Sequence, residues 1–124
     1  MLDDQNVLRQ RDRQGALDVA ANLYEQARFE VRVENIEHDG REIKNIVIAG
    51  MGGSALAADI AKVLVRYDIN IPFEVIKTYS LPGYVGENTL VIASSHSGNT
   101  EETVACLYEA IARGAQVAAT STGG

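Results

Sequence analysis

The chain has 124 residues, 46% of them hydrophobic and 23% charged, the make-up of one globular domain with a core rather than a disordered chain. Its net charge of -6, with no basic stripe, excludes nucleic acid as a partner, because nothing is placed to release phosphate counterions. No apolar run approaches the roughly 18 residues that cross a bilayer, and the single cysteine, Cys106, excludes an internal disulfide and a multi-cysteine zinc site.

The first residues, "MLDDQNVLRQRDRQ", are polar and mixed in charge, unlike a secretory signal or transit peptide, so a cytoplasmic location is the expectation. From Arg13 to Arg28, Leu17, Ala20, Ala21, Tyr24 and Ala27 recur on one face, which predicts an amphipathic helix. Phe29, Val31 and Val33 then alternate with charges, as in a short strand or extended excursion, and "HDG" marks a turn containing His38. Residues 1–44 are therefore expected to form an N-terminal segment ahead of a domain over residues 45–124.

From Asn45 the pattern becomes regular. "NIVIAG" is a short apolar run, as expected of a strand buried on both faces of a parallel sheet. Leu56, Ile60, Val63, Leu64 and Tyr67 follow at helical spacing. "FEVIKTY", from Phe73 to Tyr79, reads as the next strand and "TLVIASS", from Thr89 to Ser95, as the third. Val104, Leu107, Tyr108 and Ile111 define a second helix, closed by Arg113 and Gly114, and "AQVAATS" is a fourth strand. Strands alternating with helices at these lengths predict a doubly wound α/β domain, a parallel β-sheet flanked by helices in three layers. The chain stops at a strand end, where such folds normally continue, so a fragment is expected.

Ligands of open α/β sheets sit beyond the carboxyl ends of the strands, and two of those ends carry unusual loops. In Gly50-Met51-Gly52-Gly53-Ser54, Gly50 and Gly52 are free to take positive φ, and Gly53 lets a ligand approach the backbone. Successive N–H groups of such a turn form an anion nest, the helix start adds partial positive charge, and Ser54 suits the N-cap. It is not a dinucleotide fingerprint, because the third glycine of that pattern would fall at Ala55. The second loop, "SSHSGNTEET" from Ser94 to Thr103, gathers Ser95, Ser97, Asn99 and Thr100 around the reversal at Gly98. Glu101 and Glu102 suit the helix dipole but would repel a phosphate, so they are expected to face outward.

Together, "GMGGSA", "SSHSGNTEET" and "ATSTGG" resemble the sugar isomerase (SIS) domain family, over roughly Ile46 to Gly124. The combination is most similar to the bifunctional phosphoglucose/phosphomannose isomerase branch. That resemblance implies that Ser54, Ser95, Ser97 and Thr100 hold a sugar phosphate, with the backbone of Gly52, Gly53 and Gly98 beside it. His96 stands where that branch often has tyrosine, and Ser121 where it has threonine. The resemblance implies aldose–ketose isomerisation of glucose 6-phosphate or mannose 6-phosphate to fructose 6-phosphate, without metal or organic cofactor. It also implies two SIS domains, with the general base, the ring-opening histidine and a lysine outside this stretch. No catalytic residue is therefore expected here, and the segment alone is expected to be inactive. The expected partners are a phosphorylated hexose and a second SIS domain or homodimer mate. A sugar-phosphate-sensing module of a regulator, and an isomerase for another phosphosugar, remain open.

Other residues carry bland expectations. Cys106 is a small packing residue, and His38 a turn residue. Tyr67, Tyr79, Tyr84 and Tyr108 are core or interface residues. Asp3, Asp4, Asp12, Asp18 and Asp59 lack metal-ligand spacing.

Overall fold

The computed structural model describes residues 4–28, 30–34 and 39–124. Asp3, Phe29, His38 and the side chain of Ala27 lie outside what is described. The chain divides into two compact units, residues 1–37 and 38–124.

The first unit holds α1 (Gln5–Arg11), α2 (Ala16–Ala21) and a short 3-10 helix (Leu23–Arg28), not one continuous helix. The stretch from Arg13 to Arg28 is interrupted at Asn22, and Asp12 separates α1 from α2. Its carboxylate accepts from the Leu17 and Ala16 amides, each at 2.8 Å, and so caps a new helix instead of extending the old one. Those bonds hold the Asp12 carboxyl below its ordinary value of 3.8. Residues 30–34 form no strand, because alternation alone makes none without a neighbour to complete the ladder.

The second unit contains β1 (Asn45–Gly50), α3 (Gly52–Leu64), β2 (Phe73–Ile76), β3 (Thr89–Ser94), α4 (Glu101–Ala112) and β4 (Gln116–Thr120). The sheet is wholly parallel in the order β2-β1-β3-β4. β2 stops at Ile76 rather than Tyr79, since Ile76 pairs with Ala49 and β1 is about to turn away. Crossovers run outward from the centre in opposite directions, so the strand order reverses between β1 and β3. Right-handed connections place α3 and α4 on opposite faces.

The core lies on the α4 face, where Val47, Ala49 and Val91 cluster with Cys106 and Ala110. No helix joins β2 to β3. Instead the loop over residues 77–88 inserts Leu81 and Val85 into that cluster. The loop is fastened to α4 by polar bonds: Glu109 Oε2 accepts from the Leu81 amide at 2.7 Å, and Glu109 Oε1 pairs with Arg113 at 2.6 Å. Arg113 in turn donates to the Pro82 carbonyl at 2.6 Å.

Small residues decide how closely the helices approach. α3 buries Ala55 and Ala58, while Leu56, Ile60, Val63, Leu64 and Tyr67, the residues expected to seat it, are 54–81% exposed. Likewise α4 buries Thr103, Cys106 and Ala110, leaving Tyr108 and Ile111 outside. Alanine and cysteine allow a helix axis nearer the sheet than leucine or isoleucine would, so the larger apolar stripe faces away.

Two predictions follow from this packing. Glu109→Ala leaves the Leu81 amide and the Arg113 guanidinium short of an acceptor, so urea denaturation should show a loss of roughly 1–3 kcal/mol. Cys106 is fully buried and donates to the Thr78 carbonyl at 3.2 Å; burial, then the charge of Glu109, raises its thiol above the ordinary 9.0. A raised thiol favours the folded state fully below its ordinary value and loses that contribution as pH climbs above it. Unfolding midpoints should therefore fall more steeply above pH 9.0 for wild type than for Cys106→Ala.

Candidate functional site

Three loops leave the sheet at one level, because Gly50 pairs with Ser94 and Ser94 with Thr120. The first two flank the point where strand order reverses, the usual location of a crevice in such sheets.

In the first loop, Gly50 is required by close approach and not by positive φ. A Cβ there would stand 2.9 Å from the Ser94 carbonyl oxygen and 3.4 Å from the Ala55 nitrogen. Gly52 does take the left-handed conformation, with φ +52°. Gly53 has open space around it. α3 begins three residues earlier than the sequence suggests: Met51 is the N-cap, so Ser54 is the third helical residue and not the cap. No side chain caps this end; the Ser54 amide donates to the Met51 carbonyl at 3.1 Å, which leaves the Gly52 and Gly53 amides to face an acceptor.

In the second loop, Ser95 is only 5% exposed, and its hydroxyl lies 2.8 Å from that of Thr100. The Gly98 amide donates to the Ser95 carbonyl at 3.1 Å and closes the turn, with Gly98 at φ +73°. Ser97 is exposed at the rim, where its hydroxyl accepts from the Asn99 amide at 3.3 Å and Asn99 Nδ2 returns a bond to the Ser97 carbonyl at 3.2 Å. Thr100 is the N-cap of α4, yet it makes no side-chain capping bond. Its hydroxyl faces Ser95 instead, which leaves the first amides of α4 available to a ligand as well.

Glu101 is exposed and approaches the Tyr79 hydroxyl at 3.5 Å. The charge of Glu102, then burial, then the charge of Glu101 raise the Tyr79 phenol above 10.0. Tyr67, Tyr79, Tyr84 and Tyr108 are all at least half exposed, so of the core and interface positions expected for them, none is a core position. Asp4 caps α1, and Asp59 pairs with Lys77 at 2.6 Å. Among the described residues, no group of three histidine, cysteine or acidic side chains is placed to hold a metal ion. His96 is exposed, and its carbonyl is the group the structure uses.

That carbonyl belongs to a third loop contact which sequence reasoning did not assign to residues. Beyond β4, Thr122 donates to the His96 carbonyl from its amide at 3.1 Å and its hydroxyl at 2.7 Å. A Cβ on Gly98 would run into the Gly123 carbonyl, and one on Gly124 would lie 2.8 Å from the Gly98 Cα. The available signal was the pair of glycines directly after a strand end. A cavity of about 70 Å³ lies here, lined among others by Ser95, Gly98, Thr103 and Ser121. The Thr103 hydroxyl is buried without a hydrogen-bond partner.

Gly98→Ala combines a left-handed φ with a collision against backbone, so it should lower unfolding free energy by roughly 1–3 kcal/mol. Gly53→Ala, in open space within a helix, should leave stability within about 1 kcal/mol of wild type or raise it. Paired urea titrations compare the two.

Residues 41–121 match the SIS domain family model. A bifunctional phosphoglucose/phosphomannose isomerase of Caldicellulosiruptor bescii is 48% identical over 83 residues, covering 67% of this chain and 24% of that protein. One from Thermoplasma acidophilum is 49% identical over 80 residues, covering 64% and 25%. A solved Bacillus subtilis structure, assigned as a phosphosugar isomerase, superposes with a TM-score of 0.58 at 32% identity over 66% of this chain and 26% of that one. The chain thus spans about a quarter of the length of these relatives. The level strand ends, the glycine turn and the serine-rich loop are one arrangement within a matched stretch of more than half the sequence: the chain belongs to the SIS domain family.

Proposed function

We propose that these loops hold the phosphate of a hexose 6-phosphate in an isomerase that interconverts glucose 6-phosphate or mannose 6-phosphate with fructose 6-phosphate. One observation carries the reading. The part-buried Ser95–Thr100 hydroxyl pair, 2.8 Å apart, sits at a helix start that no side chain caps, one strand from a second helix start that no side chain caps. Two helix N-termini with hydroxyls between them suit a dianion, which each stabilises by its dipole and free N–H groups. In this reading Ser54, Ser95, Ser97 and Thr100 supply hydroxyls, and Gly52, Gly53 and Gly98 supply backbone that a ligand can approach. The names of the relatives support the hexose and the reaction.

The reaction moves hydrogen between adjacent carbons through an enediol, with no net oxidation, so it calls for a positioned proton-transfer group rather than a redox cofactor. The hydroxyls and amides here bind; we assign the general base and the ring-opening acid to the rest of the protein. Binding energy from the non-reacting phosphate then orients C1 and C2 against those groups. Residues 45–124 in this reading are one of two SIS domains, following residues 1–44. The exposed stripe Leu56, Ile60, Val63 and Leu64 on α3 supports a second SIS domain or a second copy as its cover.

In the intact protein, Ser54→Ala and Ser97→Ala should each weaken fructose 6-phosphate binding about tenfold to a hundredfold, as expected for a lost hydrogen bond to a charged oxygen. Calorimetry measures the affinity, with unphosphorylated fructose as the control that should not bind. Unchanged affinity in both variants would remove the site.

A further inference from the structure

We propose that Thr122 is a positioning residue for the anion-binding loop, holding the backbone of His96 so that Ser95, Ser97 and Gly98 keep the conformation that receives a phosphate. The inference rests on the reading of that loop as the phosphate site.

The loop has little of its own to hold it. Within residues 95–99 its bonds are the Gly98 amide to the Ser95 carbonyl and the exchange between Ser97 and Asn99. Ser97 and Asn99 are exposed, so water competes for that exchange. The rest of the support comes from β4. Regular pairing ends at Ser94 with Thr120, but bonding continues beyond it: the Ser95 amide donates to the Thr120 carbonyl at 3.1 Å. Thr122 then brings two donors to one acceptor, the His96 carbonyl, at 3.1 and 2.7 Å.

Two donors on one carbonyl fix the direction of the peptide between His96 and Ser97. That peptide also carries the Ser97 amide, so its orientation decides where an N–H of the turn points. Flanking geometry shows the two segments shaped to each other. The Ser121 hydroxyl bonds both to the Gly123 carbonyl and, at 3.0 Å, to the Gly123 amide, which folds the chain back. The Gly123 carbonyl and Gly124 then lie directly on Gly98, with no room for a Cβ on Gly98 or on Gly124. The amide of Thr122 would bond from any residue type except proline. The hydroxyl bond is specific to threonine or serine, and it is the part a substitution can remove without altering bulk.

Thr122 touches no reacting atom in this scheme, so its loss should act on binding and leave the chemical step alone. In the intact protein, Thr122→Val should raise the Kd of both inorganic phosphate and fructose 6-phosphate about fivefold to tenfold, and the KM of fructose 6-phosphate alike, with kcat unchanged. Thr122→Ser, which keeps the donor, should stay within about twofold of wild type. A general loss of structure would lower the active fraction and so kcat, and serine would not rescue it. If Thr122→Val unfolds, Thr122→Ala against Thr122→Ser gives the same comparison. Wild-type affinity in Thr122→Val, together with weakened binding in Ser97→Ala, would overturn this inference and leave the phosphate site standing. Wild-type affinity in both variants would overturn both.

Discussion

The fit of Gly50 against the Ser94 carbonyl is the contact on which the rest of the domain depends. β1 and β3 are neighbours whose ends coincide, and both chains must turn into helices at that level. With 2.9 Å between a notional Cβ and that oxygen, only glycine lets the two turns share the space. Once they do, α3 and α4 both begin beside the point where strand order reverses, on opposite faces of the sheet. Their positive ends are then adjacent without the helices meeting. The proposed anion site would rest on topology plus one missing side chain.

On the proposed reading, this is how a protein of net charge -6 could hold a dianion. The described part of the cradle brings amides and hydroxyls rather than lysine or arginine, and the nearby carboxylates are turned to other partners, as Glu101 is to Tyr79. Amides of a helix start are fixed by the backbone and lose little freedom when an anion arrives. A lysine would bring more charge but would give up rotamer entropy on binding. In the proposed site, neutral donors held in place would suit a ligand that is bound and released better than a strong point charge would. The bonds from the β4 loop extend the same logic, because they stiffen a turn that has few internal contacts.

Strand existence was legible from Asn45 onward because the four strand runs are short and largely apolar, and the two helices because apolar residues recur between them at helical spacing. The serine-rich loop was legible too, since hydroxyls crowded around Gly98 have no packing role. Other features depend on neighbours that no local pattern reveals. Ser54 falls inside the helix because Gly52 at φ +52° lets Met51 act as the cap. The seating of α3 on Ala55 and Ala58 reverses the face suggested by Leu56 and Ile60, because close approach to the sheet outweighs side-chain size. Asp12 showed no role in its spacing, yet its carboxylate accepts two backbone bonds at the start of α2. Thr122 was invisible as a site residue because its partner, the His96 carbonyl, is a backbone atom 26 positions away.

The unequal treatment of the two sheet faces bears on what the domain is for. On the α4 side, the loop over residues 77–88 adds Leu81 and Val85 to the core and is locked by Glu109 and Arg113. That face carries the helix whose N-terminus holds Thr100, so rigidity there transmits to the Ser95–Thr100 pair. On the other side, α3 rests on two alanines and presents leucine, isoleucine and valine outward. A surface of that kind gains free energy only when something covers it. On the proposed reading, the domain is braced where an anion would be gripped and exposes an apolar stripe where another body could dock, the division expected of a binding half that works with chemistry supplied from elsewhere.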